Sequence, residues 1–318
     1  MNLDRKQLKR TAREKLRSTD AGPSPLRVTL LFLLLGSGIS LAVDFIVANP
    51  AVMLLRLVEM VLQGREYMQI AETIGGGTQT ILALFLHVLI ILYTSVLSYG
   101  YYAYTLRRTD GKETAYGDLL CGFSSVGRVI TMQLLIGWFT LVWAMAVMMP
   151  LTMLGTFLLL MALTVSESLA YAGVVLLYVL CLGGMLLVQY LTLRYAFAPF
   201  LMAEFPEMAG LEAIRGSRLF LRGHTWELFK LTLSFLGWRV VLALVPVLLG
   251  GLAGGALMAA GFAAGETGIM LLGAYVFVLL GFFVQLPLNM WIIPYYHGAL
   301  AEYYRAKVHY VLPVAGQE

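Results

Sequence analysis

The sequence predicts an all-α fold, a polytopic bundle of transmembrane helices with six spans arranged as three hairpins. Hydrophobic residues make up 60% of the 318 positions and charged residues only 13%, which leaves too little polar surface to cover a soluble globular protein. The chain also contains six runs of mainly apolar residues, each long enough for a membrane helix of roughly 18 residues or more. In a bilayer each run only has to satisfy its own backbone hydrogen bonds, which a helix does. We therefore expect an integral membrane protein.

The six apolar runs differ in length, and four are longer than one crossing requires. They cover residues 28–47, 80–104, 129–163, 169–200, 228–263 and 268–296. Run 129–163 corresponds to about 52 Å of helix against a hydrocarbon core of about 30 Å. We expect one long, tilted or kinked helix there, with a break near Pro150. Run 228–263 has the same design, and its weak point is expected at Pro246 and the glycine-rich stretch that follows.

Lysine and arginine orient these spans, because positive charge is retained on the cytoplasmic side of a membrane. Nineteen of the 22 basic residues precede the first run, lie in segments 107–128 and 194–230 around alternate loops, or belong to the C-terminal tail. Arg56 and Arg65 lie on the opposite side, and Arg239 lies within a run. Both termini are therefore predicted to be cytoplasmic.

The second and third hairpins resemble each other in sequence. Each opens with a Gly-Trp pair, ending at Trp138 or Trp238, and each closes with an Ala-Glu pair, ending at Glu204 or Glu302. A cytoplasmic amphipathic helix is predicted before every hairpin, which favours parallel repeats in a pseudo-threefold bundle over a chance likeness. The single membrane domain, 1–318, then consists of a basic helix, three hairpin segments and a tail: 1–25, 26–104, 115–204, 208–304 and 305–318.

A basic collar is predicted on the cytoplasmic side of the membrane, because basic residues share one helical stripe in the first and third amphipathic segments. The collar comprises Lys6, Arg10, Arg13, Arg17, Arg215, Arg218 and Arg222. One interpretation is that the collar only fixes topology and lies along the anionic leaflet. The other is that it binds anionic lipid headgroups or a cytoplasmic partner, and that added salt weakens this binding.

Polar residues within the runs are candidates for an intramembrane site: Arg239, His87, Asp44, Gln189 and Gln285. Arg239 follows Lys230 by nine residues, which places it about 13 Å along the helix. It either faces a cavity or an ion-pair partner such as Asp44, or it reaches the headgroups from a shallower register. His87 is interpreted as an interior histidine bonded to a neighbouring helix, with a proton relay or ligand site as the alternative.

Three segments carry a resemblance to a known family: DLLCGFSSVGR, LRYAFAPFLMAEFPEMAGLEAIRGSRLFLRGHTWELFKLTLSFLGW and WIIPYYHGALAEYY. With the basic N-terminal KQLKRTAREKLR, they resemble the bacterial integral-membrane family known as domain of unknown function 975. The resemblance covers residues 118–304 and implies a multi-pass helical protein of the bacterial cytoplasmic membrane. It implies no catalytic residues. The alanine- and glycine-rich stretch 250–265 departs from the family pattern.

The residues favour a non-enzymatic function. No nucleophile, base and orienting acid share a recognisable spacing, and no cofactor or metal is predicted. The first hypothesis is a protein that handles or senses a lipid-like or amphiphilic molecule, or that supports an export or envelope complex. The second is a small-solute secondary transporter that uses Arg239 and helices broken at proline and glycine, and the third is a membrane-embedded enzyme. Expected partners are membrane lipids, including anionic headgroups at the cytoplasmic face; a protein partner or a homo-oligomer stays open, and nucleic acid is not expected.

Overall fold

The computed structural model describes residues 5–17, 22–47, 49–62 and 78–311. Within these ranges the chain is almost entirely helical and contains no strand, so the predicted all-α class is confirmed. Arg65 and the end of the predicted C-terminal tail lie outside the described residues. The side chains of Lys6 and Arg17 are also outside the described part.

The helices follow one another with short connections. In chain order they are α1 (Arg5–Arg17), α2 (Pro25–Leu33), α3 (Ile39–Val47), α4 (Pro50–Leu62), α5 (Thr78–Thr109), α6 (Val126–Val165), α7 (Glu167–Thr192), α8 (Ala198–Glu204), α9 (Gly210–Phe220), α10 (Thr225–Leu233), α11 (Leu236–Ala264) and α12 (Thr267–Val311). A π-helical turn, Leu34–Gly38, joins α2 to α3, and 3₁₀ helices cover Tyr116–Ser125 and Leu193–Tyr195. Helix α4 was not predicted from the sequence.

Six stretches of the described chain are long and apolar enough to cross a membrane. They are Pro25–Val47, Ile81–Thr109, Tyr116–Val165, Ser168–Glu204, Thr225–Ala264 and Thr267–Lys307. Each contains one of the six runs predicted from the sequence or most of it, so the predicted number of candidate spans is confirmed. Large apolar side chains on these helices are widely exposed, as in Leu182, Leu252 and Phe283, which is the surface that lipid covers.

Run 129–163 lies within one long helix, as predicted, but the expected break near Pro150 is wrong. Helix α6 continues through Pro150 as one helix of 40 residues, because the ring removes only one backbone hydrogen bond while the turns on either side keep theirs. Helix α11 likewise continues through Pro246 and the glycines after it. The candidate span Thr225–Ala264 is interrupted instead between Leu233 and Leu236. There Phe235 is buried against two tyrosine rings.

Contacts divide the chain into two compact units. Unit 1 comprises Met1–Phe123 and Phe235–Tyr303, and unit 2 comprises Ser124–Ser234 and Tyr304–Glu318. The predicted division into one domain with three hairpin segments stays a prediction.

In unit 1, helices α2 and α3 pack against α5. The Thr29 hydroxyl is 2.8 Å from the Tyr101 hydroxyl, and Asp44 contacts His87 at the other end of the same helices. The start of α2 therefore contacts the C-terminal part of α5, and the end of α3 contacts the N-terminal part of α5. Helices α2 and α3 are thus antiparallel to α5. Buried side chains fill the centre of this packing: Val28, Leu97, Tyr101, Tyr104 and Leu119.

Helices α11 and α12, also in unit 1, approach each other at glycines. A Cβ at Gly254 would lie 2.5 Å from the Gly273 carbonyl oxygen, and a Cβ at Gly250 would lie 2.9 Å from the Phe277 carbonyl oxygen. Gly251 and Gly255 have open space instead. The glycine-rich stretch thus presents one face for close helix packing, as expected of small residues in membrane helices.

Helix α1 packs on the rest of unit 1 through apolar and basic side chains. Leu8 and Ala12 are buried, and the Lys15 ammonium group donates to the Thr109 carbonyl oxygen at 2.7 Å and pairs with Glu302 at 2.6 Å. Arg13 lies over the Tyr295 ring, with its guanidinium carbon 5.4 Å from the ring centre. The first basic segment is therefore docked on protein along the side that carries Lys15.

In unit 2, helices α6 and α7 pack along each other, and α9 packs on α8 and on the start of α6. A Cβ at Gly210 would lie 2.9 Å from the Met132 backbone nitrogen, so α9 begins in direct contact with α6. Its buried face meets an aromatic cluster of Phe197, Phe200, Phe220 and Tyr304, with ring centres 5.5–5.9 Å apart.

A candidate anion-binding cleft

Unit 2 contains an open cleft of about 660 Å³ at the ends of its helices. It is formed by the C-terminal end of α7, helix α9, the turn after α9 and the start of α10. The residues that line it are Tyr190, Arg194, Arg215, Arg218, Leu219, Leu221, Arg222, Gly223, Thr225 and Trp226. Four of them are arginines and none is acidic. The cleft is therefore strongly electropositive.

The four arginines reach the cleft from two parts of the chain. Arg194 lies in the 3₁₀ turn that ends α7, while Arg215 and Arg218 lie on α9 and Arg222 follows its last turn. Arg215 and Arg218 are three residues apart, so their side chains leave the same helix face. Among the described residues, none of the four guanidinium groups forms an ion pair. Each keeps its planar fork of donors available for a phosphate or carboxylate.

Ser217 joins the two arginine-bearing segments. Its side chain is fully buried. The Ser217 hydroxyl donates to the Arg194 carbonyl oxygen at 2.8 Å, and the Ser217 hydroxyl oxygen accepts from the Phe197 backbone N–H at 3.2 Å. A buried hydroxyl that both donates and accepts fixes its neighbours in position. Ser217 therefore sets the distance between Arg194 and the arginines of α9.

An aromatic wall borders the arginines. The rings of Tyr190 and Trp226 are 6.2 Å apart, and both pack on Phe229 at 5.5 Å and 5.4 Å. Trp226 is 53% exposed, and the Lys230 ammonium group lies 5.3 Å from its ring centre. Tyrosine and tryptophan are favoured where hydrocarbon meets headgroups, so this wall has the composition of a membrane interface.

The turn after α9 brings the last lining residues into place. Gly223 has φ of +81°, a backbone conformation that favours glycine. His224 and Glu227 follow, and the Lys307 ammonium group lies 3.3 Å from both the Glu227 carboxylate and the His224 ring nitrogen Nδ1. This contact anchors the C-terminal part of α12 to the segment that forms the cleft.

Part of the predicted collar comes together here. Arg215, Arg218 and Arg222 all line the cleft. In unit 1, the exposed Arg10 pairs with Glu14 on its own helix at 3.0 Å, and Arg13 contacts Tyr295. Lys6 and Arg17 cannot be placed, because their side chains are outside the described part.

Of the predicted intramembrane polar residues, Asp44 and His87 contact each other in unit 1. His87 Nε2 lies 3.0 Å from the Asp44 carboxylate, and His87 Nδ1 lies 2.6 Å from the Ala83 carbonyl oxygen. Arg239 is exposed and lies over the Tyr296 ring at 5.3 Å, without an ion pair among the described residues. Gln189 lies in unit 2, while Gln285 is exposed in unit 1. The structure thus pairs Asp44, which was considered as a partner for Arg239, with His87.

The sequence did not group Arg194, Tyr190, Trp226 or Ser217 with the collar arginines. In the sequence, Arg194 is only one of several basic residues in segment 194–230, and tyrosine and tryptophan at the end of an apolar run are typical of any membrane interface. More than 20 residues separate Arg194 from Arg215 along the chain, so no helical spacing links them. Ser217 carries no sequence signal at all.

Within the described residues, no group of three or more histidine, cysteine, aspartate or glutamate side chains is placed to hold a metal ion. The fold is that of a helical membrane protein with six candidate spans. Residues 1–308 match the family described as protein of unknown function (DUF975), and the chain belongs to that family. No curated protein matches the chain, and no solved structure matches it.

Proposed function

We propose that this protein is a non-enzymatic, multi-pass protein of the bacterial cytoplasmic membrane that binds an anionic amphiphile through the basic cleft of unit 2. The observation that carries the proposal is the convergence of four arginines, without ion-pair partners in the described part of the chain, on a cleft walled by Tyr190 and Trp226. Cation clusters beside interfacial aromatic rings attract anionic headgroups. The cleft lies on the cytoplasmic side in this proposal, which agrees with the excess of basic residues in the loops that carry it.

The proposed architecture is three antiparallel hairpins in parallel repeats. Two closing carboxylates support it. Glu302, which ends the third repeat, pairs with Lys15 at 2.6 Å, and Glu204, which ends the second, pairs with Arg305 at 2.5 Å. In each case the glutamate of an Ala-Glu pair binds a basic residue from a different helix.

Transport of a small solute receives less support. That hypothesis relied on helices broken at prolines and on Arg239. Helices α6 and α11 continue through Pro150 and Pro246, and Arg239 contacts an aromatic ring on the surface of α11 and α12.

The test is lipid binding by the full-length protein in a neutral detergent, measured by native mass spectrometry with phosphatidylglycerol and phosphatidylcholine. The variant Arg215→Gln/Arg218→Gln is compared with Arg10→Gln/Arg13→Gln, which removes the same charge from unit 1. At about 1 kcal/mol for each basic residue near an anionic headgroup, the cleft variant is expected to bind phosphatidylglycerol about 30-fold more weakly. The control is expected to change little. Equal losses in both variants, or no preference for the anionic lipid in the wild type, would refute the proposal.

A further inference from the structure

The proposed function does not specify the chemical class of the amphiphile. The charge and shape of the cleft limit which headgroups fit it. Four guanidinium groups line the cleft, and none has a carboxylate partner among the described residues. A phosphodiester headgroup carries one negative charge and would leave most of this positive charge unmatched. A phosphate monoester carries about −1.5 to −2 near neutral pH and three acceptor oxygens.

The arginines approach from two chain segments that Ser217 holds together. A terminal phosphate exposes three oxygens, so it can accept from Arg194 and from the α9 arginines at once. Bidentate arginine–phosphate pairing gives directional specificity to such contacts. A phosphodiester offers two free oxygens and is flanked by carbon on both sides, which restricts this arrangement.

The volume of the cleft also exceeds that of a free phosphate ion. About 660 Å³ lies within the range of roughly 300 to 1,000 Å³ that is typical of sites for whole small molecules. The remaining space is bordered by Leu219, which is 70% exposed, and by the exposed ring of Trp226. These residues provide apolar surface beside the charged part of the cleft.

The apolar surface continues along α7 towards the membrane-spanning region. Leu186 and Leu187, 44% and 46% exposed, lie four and three residues before Tyr190, respectively, and therefore on the same helix face. On α10, Leu233 is 41% exposed and lies one helical turn beyond Phe229. A hydrocarbon chain attached to a headgroup in the cleft has an apolar path from Tyr190 along α7.

Resting on the proposed function, we propose that the cleft binds a membrane amphiphile whose headgroup ends in a phosphomonoester or diphosphate. The terminal phosphate contacts Arg194, Arg215, Arg218 and Arg222. Its hydrocarbon chain lies against Tyr190 and the exposed leucines of α7. A soluble polyanion fits less well, because it would make no use of the apolar wall that adjoins the arginines.

The experiment measures binding by tryptophan fluorescence of the full-length protein in phosphatidylcholine nanodiscs, with Trp226→Phe to identify the signal from the cleft. The probes are dioctanoyl phosphatidic acid, dioctanoyl phosphatidylglycerol and inorganic pyrophosphate. At pH 7.5 phosphatidic acid is expected to bind at least about 10-fold more tightly than either of the others. Lowering the pH to about 5.5 removes most of its second charge, since that phosphate pKa is near 6, and is expected to reduce the preference over phosphatidylglycerol. Phosphatidylglycerol measured at both pH values controls for effects of pH on the protein itself.

The outcomes separate the two proposals. Equal affinity for phosphatidic acid and phosphatidylglycerol, lost together in Arg215→Gln/Arg218→Gln, would overturn the phosphomonoester class and leave anionic lipid binding intact. Pyrophosphate binding as tightly as phosphatidic acid would overturn the requirement for a hydrocarbon chain. No cleft-dependent binding of any anionic probe would overturn both. Arg194→Gln is expected to weaken phosphatidic acid more than phosphatidylglycerol, because a phosphodiester does not use the additional guanidinium.

Discussion

The Ser217 hydroxyl donates a hydrogen bond of 2.8 Å to the carbonyl oxygen of Arg194, 23 residues earlier in the chain. Through this bond α9 and the end of α7 hold their arginines in one cleft. Because the two backbone segments are already fixed relative to each other, less conformational entropy is lost in ordering them when a ligand binds.

Ser217→Ala is expected to weaken phosphatidic acid binding about 3- to 10-fold although every arginine remains. The variant also leaves the buried Phe197 N–H without its acceptor, so the free energy of unfolding should fall by about 1–3 kcal/mol. Lipid titration and thermal unfolding in the same detergent measure the two effects. Ser168→Ala, which removes an exposed hydroxyl from the same unit, is the control and should change neither. Unchanged affinity in a destabilised Ser217→Ala protein would show that the bond stabilises the fold without positioning Arg194.

Gly254 and Gly255 are adjacent in α11, but only Gly254 contacts α12. Substitution of each glycine therefore tests the packing between these two helices. Gly254→Ala is expected to lower the free energy of unfolding by about 1–3 kcal/mol, because its new methyl group meets the Gly273 carbonyl oxygen and Phe277. Gly255→Ala meets nothing within 4 Å and should be neutral or stabilising by up to about 1 kcal/mol through helix propensity. Unfolding by denaturing detergent measures both. Equal effects of the two substitutions would contradict the described face of α11.

Asp44 and His87 connect α3 to α5 within two candidate spans. Both His87 ring nitrogens face oxygen acceptors, and the contact with Asp44 is the one that joins the two helices. A double-mutant cycle with Asp44→Ala and His87→Ala is expected to give a coupling energy of about 0.6–1.7 kcal/mol, as for other polar contacts between membrane helices. Thr94→Ala serves as the control for Asp44→Ala, because the Thr94 hydroxyl bonds to carbonyl oxygens of its own helix. Additive effects of Asp44→Ala and His87→Ala would contradict the contact.

Glu204 holds the C-terminal part of α12 in unit 2. Its two carboxylate oxygens accept from the Tyr304 hydroxyl and the Arg305 guanidinium, each at 2.5 Å. Glu204→Gln is expected to lower the free energy of unfolding by about 1.5–3 kcal/mol, since it removes charge-assisted hydrogen bonds from a mostly buried pair. Glu207→Gln removes the same charge from a side chain that is 99% exposed and should cost less than about 0.5 kcal/mol. Thermal unfolding compares them, and equal costs would refute the anchoring role of Glu204.

The sequence predicts where the candidate spans lie, but it does not predict where their helices are interrupted. A span is predicted from the summed hydrophobicity of about 18 adjacent residues, and all six runs agree with the structure. Whether a helix stops at Pro150 depends on the turns and the neighbouring helix that support it, which adjacent residues do not reveal. The interruption before Leu236 arises where Phe235 packs on Tyr295 and Tyr296, 60 residues further along.

The sequence by itself determined that this is an all-helical membrane protein with six candidate spans, because hydrophobicity acts locally and adds along each helix. It also determined that Arg215, Arg218 and Arg222 share one segment. The tertiary structure alone decided that Arg194 and Trp226 join them, that Ser217 fixes their spacing and that Asp44 meets His87. These relationships depend on which distant helices pack together, and packing is a property of surfaces that only the folded chain brings into contact.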